Sequence, residues 1–339
     1  MLEAQALSVH VASAHSLYDR PDFLASLEAQ TNRSYQVIYV DLGAGKTGTD
    51  SEFEITRPDV VRLRTFRNIG VVRGHNQAIA LALSRWPRET WSDRLIVLSR
   101  PEVAFDRRAC EVFLEVFQAD PSLWVAGPKV FLAETAPHTD GEWVELVCTN
   151  QLHSAGIGLT RGRTLVPFGQ GKEDTGDYDA GERILFLSDA CVVIRASALE
   201  SLALAENVWL DPHLPPTFAV LDLCWRAAVQ GARPRLLPDA RVWFAAQERA
   251  SSKRSAWKER YLPSRLRPRG DTWGLRLVHA PWVLGSYLRY RLSRIFSGRY
   301  WDERMAPEPG AKLILADLKF RRPPDRAEPL AERRRWFTT

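Results

Sequence analysis

Apolar and polar positions follow two rhythms along the first half of the chain. LSVHVAS at 7–13 and YQVIYVD, which ends on Asp41, have the composition of buried strands, and 60–66 alternates as a further strand. Elsewhere apolar residues recur at helical spacing. Phe23, Leu24 and Leu27 do so within 22–30, and a longer run over 71–86 opens with Asn68-Ile-Gly70. A buried strand at 95–98 ends in Ser-Arg-Pro-Glu-Val, and a helix over 107–117 and a strand over 123–130 follow. Strand–helix–strand order of this kind predicts an α/β fold with a mainly parallel sheet and helices on both faces. Ligands of such sheets bind outside the carboxyl ends of the strands, which gathers Asp41, Asn68 and residues 100–102 around one crevice.

The second half is less regular. Residues 133–142 form a polar loop with Pro137 and Gly141, and 153–179 is glycine-rich and too irregular for a core element. A strand-like run at 183–195 leads through a helix at 197–204 into LDPHLPPTFAVLDLCWR at 210–226. There an acid follows an apolar run, the chain turns through prolines, and Leu221, Leu223, Cys224 and Ala228 recur at helical spacing before Gly231. A loop feeding a helix N-terminus favours a carboxylate, and Asp222 sits about where one is expected.

Composition changes the picture mainly at the C-terminus. With 339 residues, 45% of them apolar, the chain can bury a full core. The net charge of +5 is unevenly spread, with arginines concentrated at 253–304 and in the last twenty residues. Trp273, Trp282, Tyr287, Tyr290, Phe296, Tyr300 and Trp301 are interleaved with those arginines. The pattern suits a membrane surface contacted through 273–301, and equally a helical appendage whose aromatics pack onto the main domain. Nucleic acid is not expected as a partner of this architecture. The chain therefore divides into 1–250 and a helical, basic and aromatic extension at 251–339.

The most apolar stretch, 275–290, is broken by Arg276, His279, Pro281 and Arg289 and does not cross a bilayer. The N-terminus lacks a signal pattern. Cys110, Cys148, Cys191 and Cys224 have no metal-ligand spacing, and all but Cys148 sit in apolar runs as core residues, which fits a reducing compartment. The expected location is cytoplasmic, peripheral on the inner face of the membrane.

Several segments, taken in order, resemble the family-2 glycosyltransferases of GT-A fold, particularly bacterial rhamnosyltransferase-like enzymes. They are Gln30-Thr31 after a helix, the strand ending on Asp41, Asn68-Ile-Gly70 with Gly74-His-Asn76, HSAG at 153–156, the loop ending at 176–179, SDACVVIR at 188–195, and 210–231. The resemblance covers about 7–250, and the closing RRRWF is also similar to the tail of such proteins. It implies inverting transfer of a sugar from a nucleotide-sugar donor to a glycan or lipid-linked acceptor in cell-wall or cell-surface polysaccharide assembly. By resemblance Asp41 binds the nucleoside, Asn68, Gly70 and Asn76 lie on the donor side, and Glu102 keeps one carboxylate for a divalent metal, Mg or Mn.

The sequence departs from the pattern at the chemistry. The second acid of the first loop falls at Lys46, and the metal motif reads Arg100-Pro101-Glu102. The acid pair that carries the base falls at Ala219 and Val220, and the late histidine at Phe244. In an active enzyme Arg100 pairs directly with the donor diphosphate, and Asp189 or Asp211 serves as base. Asp222, the third candidate acid, then reads as a helix-start residue supporting the site. The alternative is a catalytically inactive GT-A protein that binds nucleotide-sugar, glycan or a partner enzyme.

Overall fold

The computed structural model describes residues 5–15, 17, 21–43, 59–137, 144–159, 165–181, 184–245 and 281. Lys46 and, Pro281 apart, the basic extension at 251–339 with its 273–301 stretch lie outside the described residues. Eight strands follow the path β3-β2-β1-β4-β10-β6-β11-β5, and β7 pairs with β6 off that path. The first four are β1 (Leu7–Ser13), β2 (Tyr35–Asp41), β3 (Val60–Arg64) and β4 (Leu95–Ser99), all mutually parallel. Next, β10 (Cys191–Arg195) runs antiparallel to β4 and to β6 (Val125–Pro137), and β11 (Arg235–Phe244) returns parallel to β6. β5 (Val103–Phe105) closes the edge antiparallel to β11.

Strand alternation divides the core between the two faces. Leu7, Val9 and Val11 of β1 turn to one side with Tyr35, Val37, Tyr39, Leu95 and Val97, against α1 (Pro21–Glu28) and α3 (Ala109–Ala119). Ile38, Val40, Ile96 and Leu98 turn to the other, against α2 (Val71–Arg85), α4 (Ala198–Leu202) and α5 (Pro216–Val229). The expected α/β sheet with helices on both faces is therefore present, parallel through its first four strands and mixed beyond β4. Because both faces are covered, these strands are near-continuous apolar runs.

Helix α2 lies unusually close to β1, since a Cβ added at Gly74 would sit 2.9 Å from that of Ala12. Beneath it the second core holds a buried polar group. Ser8 Oγ and His10 Nε2 are 2.9 Å apart, and Gln36 Nε2 donates to Ser8 Oγ at 3.2 Å. Burial drives the His75 imidazole of α2 down to about 4, and desolvation with the nearby His75 holds His10 well below its ordinary value.

Two expectations change in the middle of the chain. The predicted loop at 133–142 is in part strand. β6 continues to Pro137 and pairs with the antiparallel β7 (Val144–Ser154), which brings His153 back beside the sheet. The irregular region after it contains a small ladder of β8 (Ile157–Leu159) and β9 (Leu165–Pro167). The following loop is pinned by buried Lys129, whose ammonium contacts Asp174 at 2.8 Å and also pairs with Asp179.

Candidate functional site

The chain leaves β1 toward β2 and β3 on one side, and α2 carries it back to β4 on the other. The strand order thus reverses between β1 and β4, and loops from both halves meet at their carboxyl ends. Asp41 terminates β2 there. Its Oδ1 accepts from the Gly43 amide at 2.9 Å, and Oδ2 accepts from Arg62 Nη2 at 2.5 Å. Asn68 is exposed, and its side-chain oxygen accepts from the Gly70 amide at 2.9 Å, shaping the start of α2.

Asn76 has a different place. Its Nδ2 donates to the Leu210 carbonyl at 2.8 Å, while Oδ1 accepts from the amides of Trp209 and Leu210 at 3.0 and 2.9 Å. The amide is buried and committed to that backbone, so Asn76 acts by holding residues 209–210 against α2. Of the Gly74-His-Asn76 segment, glycine permits helix–strand contact, histidine is in the core, and asparagine clamps the loop before α5.

The charged centre forms beyond β4. The Arg100 amide continues the ladder by donating to Ala190 at 3.0 Å, which sets Arg100 beside Asp189. Its guanidinium lies 3.4 Å from Glu102 Oε2 and 3.6 Å from Asp189 Oδ2. Both distances exceed a good hydrogen bond, and the arginine side chain is 37% exposed, so part of its donor fork faces outward. Asp189 Oδ2 also accepts from the Thr217 hydroxyl at 2.9 Å, in the first turn of α5. The positive end of that helix therefore faces the same carboxylate.

Sequence reasoning missed His153 as part of this centre. Its ring meets Phe244 edge-on with centroids 5.1 Å apart, and Arg100 lies over the Phe244 ring at 5.0 Å. Desolvation lowers the His153 imidazole below its ordinary value, Asp189 opposes that shift, and Arg100 reinforces it. HSAG is built for this placement. Gly156 has φ 91° and a Cβ there would meet Ile184 at 2.6 Å, so only glycine turns the chain sharply enough after His153.

Neither of the other two candidate acids forms an ion pair with Arg100. Asp211 Oδ1 accepts from His213 through both its amide, at 2.9 Å, and its ring, at 3.0 Å, in an exposed turn. Asp222 is a correction, because α5 begins at Pro216 and places it two turns in, not at the helix start. Its Oδ2 accepts from Arg226 Nε at 2.8 Å, and Arg226 in turn holds the carbonyls of Leu202 and Trp209. Ala219 and Val220 are buried in the core, so no acid approaches the crevice from that turn.

The described residues do not by themselves form a site for a divalent ion. A Mg²⁺-type ion takes one or two carboxylates together with substrate phosphates, and here Glu102 and Asp189 share the Arg100 cation between them. Among the described residues no group of three or more His, Cys, Asp or Glu converges as a metal site.

No family profile and no curated protein sequence matches the chain. Among solved structures it is similar to GalNAc-T7 with UDP, GalNAc and Mn2+, at a TM-score of 0.51 and 11% identity over 71% of this chain and 44% of that one. It is also similar to the mannosyltransferase PcManGT from Pyrobaculum calidifontis in complex with GDP-Man and Mn2+ (TM-score 0.44, 14% identity, 84% of this chain and 64% of that one). A third is S. aureus TarS 1-349 (TM-score 0.44, 13% identity, 71% and 60%). The chain spans less than two thirds of the length of each. The fold is that of the GT-A glycosyltransferases.

Proposed function

We propose that the chain is an inverting family-2 glycosyltransferase that moves a sugar from a nucleoside-diphosphate donor to a glycan or lipid-linked acceptor in cell-surface polysaccharide assembly. The observation that carries it is the partly exposed Arg100 guanidinium at the sheet's switch point, loosely held between Glu102 and Asp189. A planar fork of N–H donors matches diphosphate oxygens, and its charge meets the negative charge that develops on the leaving group. Asp41, Asn68 and Gly70 flank the nucleoside, and Asn76 positions the opposite wall. Asp189 stands on the acceptor side, and the turn holding Asp211 borders it. The donor class follows the UDP and GDP-Man of the compared complexes. The rhamnosyltransferase-like resemblance supports the family, and the basic and aromatic 273–301 stretch supports attachment to the cytoplasmic face of a membrane.

A thermal-shift scan over UDP-, GDP- and dTDP-sugars, paired with a nucleoside-diphosphate release assay, tests this. One donor should raise the melting temperature and release nucleotide equally with and without EDTA. Arg100→Met should lower kcat/KM by about tenfold to a hundredfold, the worth of one charge-assisted hydrogen bond to phosphate. Absence of any shift, or a shift with no release, refutes the enzyme. Release abolished by EDTA refutes arginine in the metal's place.

A further inference from the structure

Four segments bring charged or ring side chains together: the segment after β4 (Arg100, Glu102), the turn before β10 (Asp189), the end of β7 (His153) and the end of β11 (Phe244). Arg100 and His153 both contact the Phe244 ring, at 5.0 and 5.1 Å from its centroid, and both Arg100 and Asp189 act electrostatically on His153. Among the described residues no hydrogen bond occupies the His153 ring nitrogens. Asp189 and Arg100 are the two charged groups that act on it, and Glu102 reaches it only through Arg100.

We infer that His153 is the proton acceptor of the transfer step, with Asp189 as the positioning carboxylate that stabilises the imidazolium. This rests on the glycosyltransferase reading above. The acceptor hydroxyl gives its proton to a ring nitrogen of His153 as its oxygen forms a bond to the sugar's anomeric carbon. The bond from that carbon to the diphosphate oxygen breaks, and the nucleoside diphosphate leaves with the electron pair beside Arg100. The imidazolium then returns its proton to solvent. Asp189 suits this supporting role better than that of direct base, because its Oδ2 already accepts from Thr217 at 2.9 Å and faces Arg100. Desolvation keeps the imidazole neutral at pH 7, the form in which it accepts a proton.

The test measures donor turnover, with water or a supplied glycan as acceptor, for wild type, His153→Gln and His153→Ala across pH 5–9. Wild-type kcat should fall on the acid side as the imidazole protonates. His153→Gln should lose about a hundredfold or more in kcat with its donor-induced thermal shift unchanged. Added imidazole should partly restore His153→Ala, a result that a misfolded protein cannot give. Asp189→Asn should move the acid limb to lower pH, since it removes the charge that holds the proton. Wild-type turnover with no acid limb, or with His153→Gln at full kcat, overturns this inference alone. A wild type that binds donor but never turns it over overturns the glycosyltransferase reading and this one with it.

Discussion

Lowering the pH from 7 to 5 should destabilise the chain by about 2 kcal/mol through His75 alone. Burial under α2 keeps this imidazole neutral in the folded chain, with its value down at about 4 from an ordinary 6.5. The unfolded chain therefore binds the extra proton first as pH falls. Stability is fully present above about 6.5, declines through the window down to about 4, and levels off below it. The full difference corresponds to about 3 kcal/mol, of which about 2 kcal/mol is lost by pH 5. His10 and His153 are lowered as well and act in the same direction. Glu111, Asp120 and Asp174 are lowered by their partners, so their contribution disappears only below the ordinary carboxylate range. The interval from pH 7 to 5 thus belongs to the histidines. Urea unfolding followed by tryptophan fluorescence at several pH values measures it, provided the m-value stays constant. His75→Phe should remove about 2 kcal/mol of the pH dependence. A wild-type stability that is flat between pH 7 and 5, or a slope unchanged in His75→Phe, refutes the reasoning.

Three further outcomes are expected. Asn76→Ala strips partners from two buried amides and one carbonyl and should cost about 2–4 kcal/mol in urea unfolding, with Trp209 emission shifted to the red. Ala219→Glu, which returns an acid to the position implied by resemblance, buries an unpaired carboxylate and should cost more than about 3 kcal/mol without raising turnover. Lys129→Met leaves Asp174 buried without its cation and should cost about 3 kcal/mol or more. Limited proteolysis should then cut within 169–181 first, and Lys129→Met with Asp174→Asn should recover part of the loss.

The sheet's first half was legible because β1, β2 and β4 are buried on both sides, which leaves an unbroken apolar signature in each. The β6–β7 hairpin was not. Residues such as Val147, which is 43% exposed, lie on a solvent-facing edge, and polar strands there read as loop. The site divides along the same line. Asp41 and residues 100–102 could be placed by their positions at strand ends, a local property. The clamp of Asn76 on Leu210 spans 134 positions, and no spacing rule reaches that far. His153 was visible only as part of a short segment, because the residues that give it chemistry, Arg100, Asp189 and Phe244, come from three other elements. Its one local signal was the glycine three positions later that forces the turn.

The clamp also bears on how such a crevice can change. Asn76 ties α2 to the loop that carries Asp211 and leads to Thr217, and so to Asp189. The two walls are one mechanical part. A substitution that moves the N-terminal half of α2 is therefore expected to shift residues 209–210 as well, unless the amide at 76 is released first.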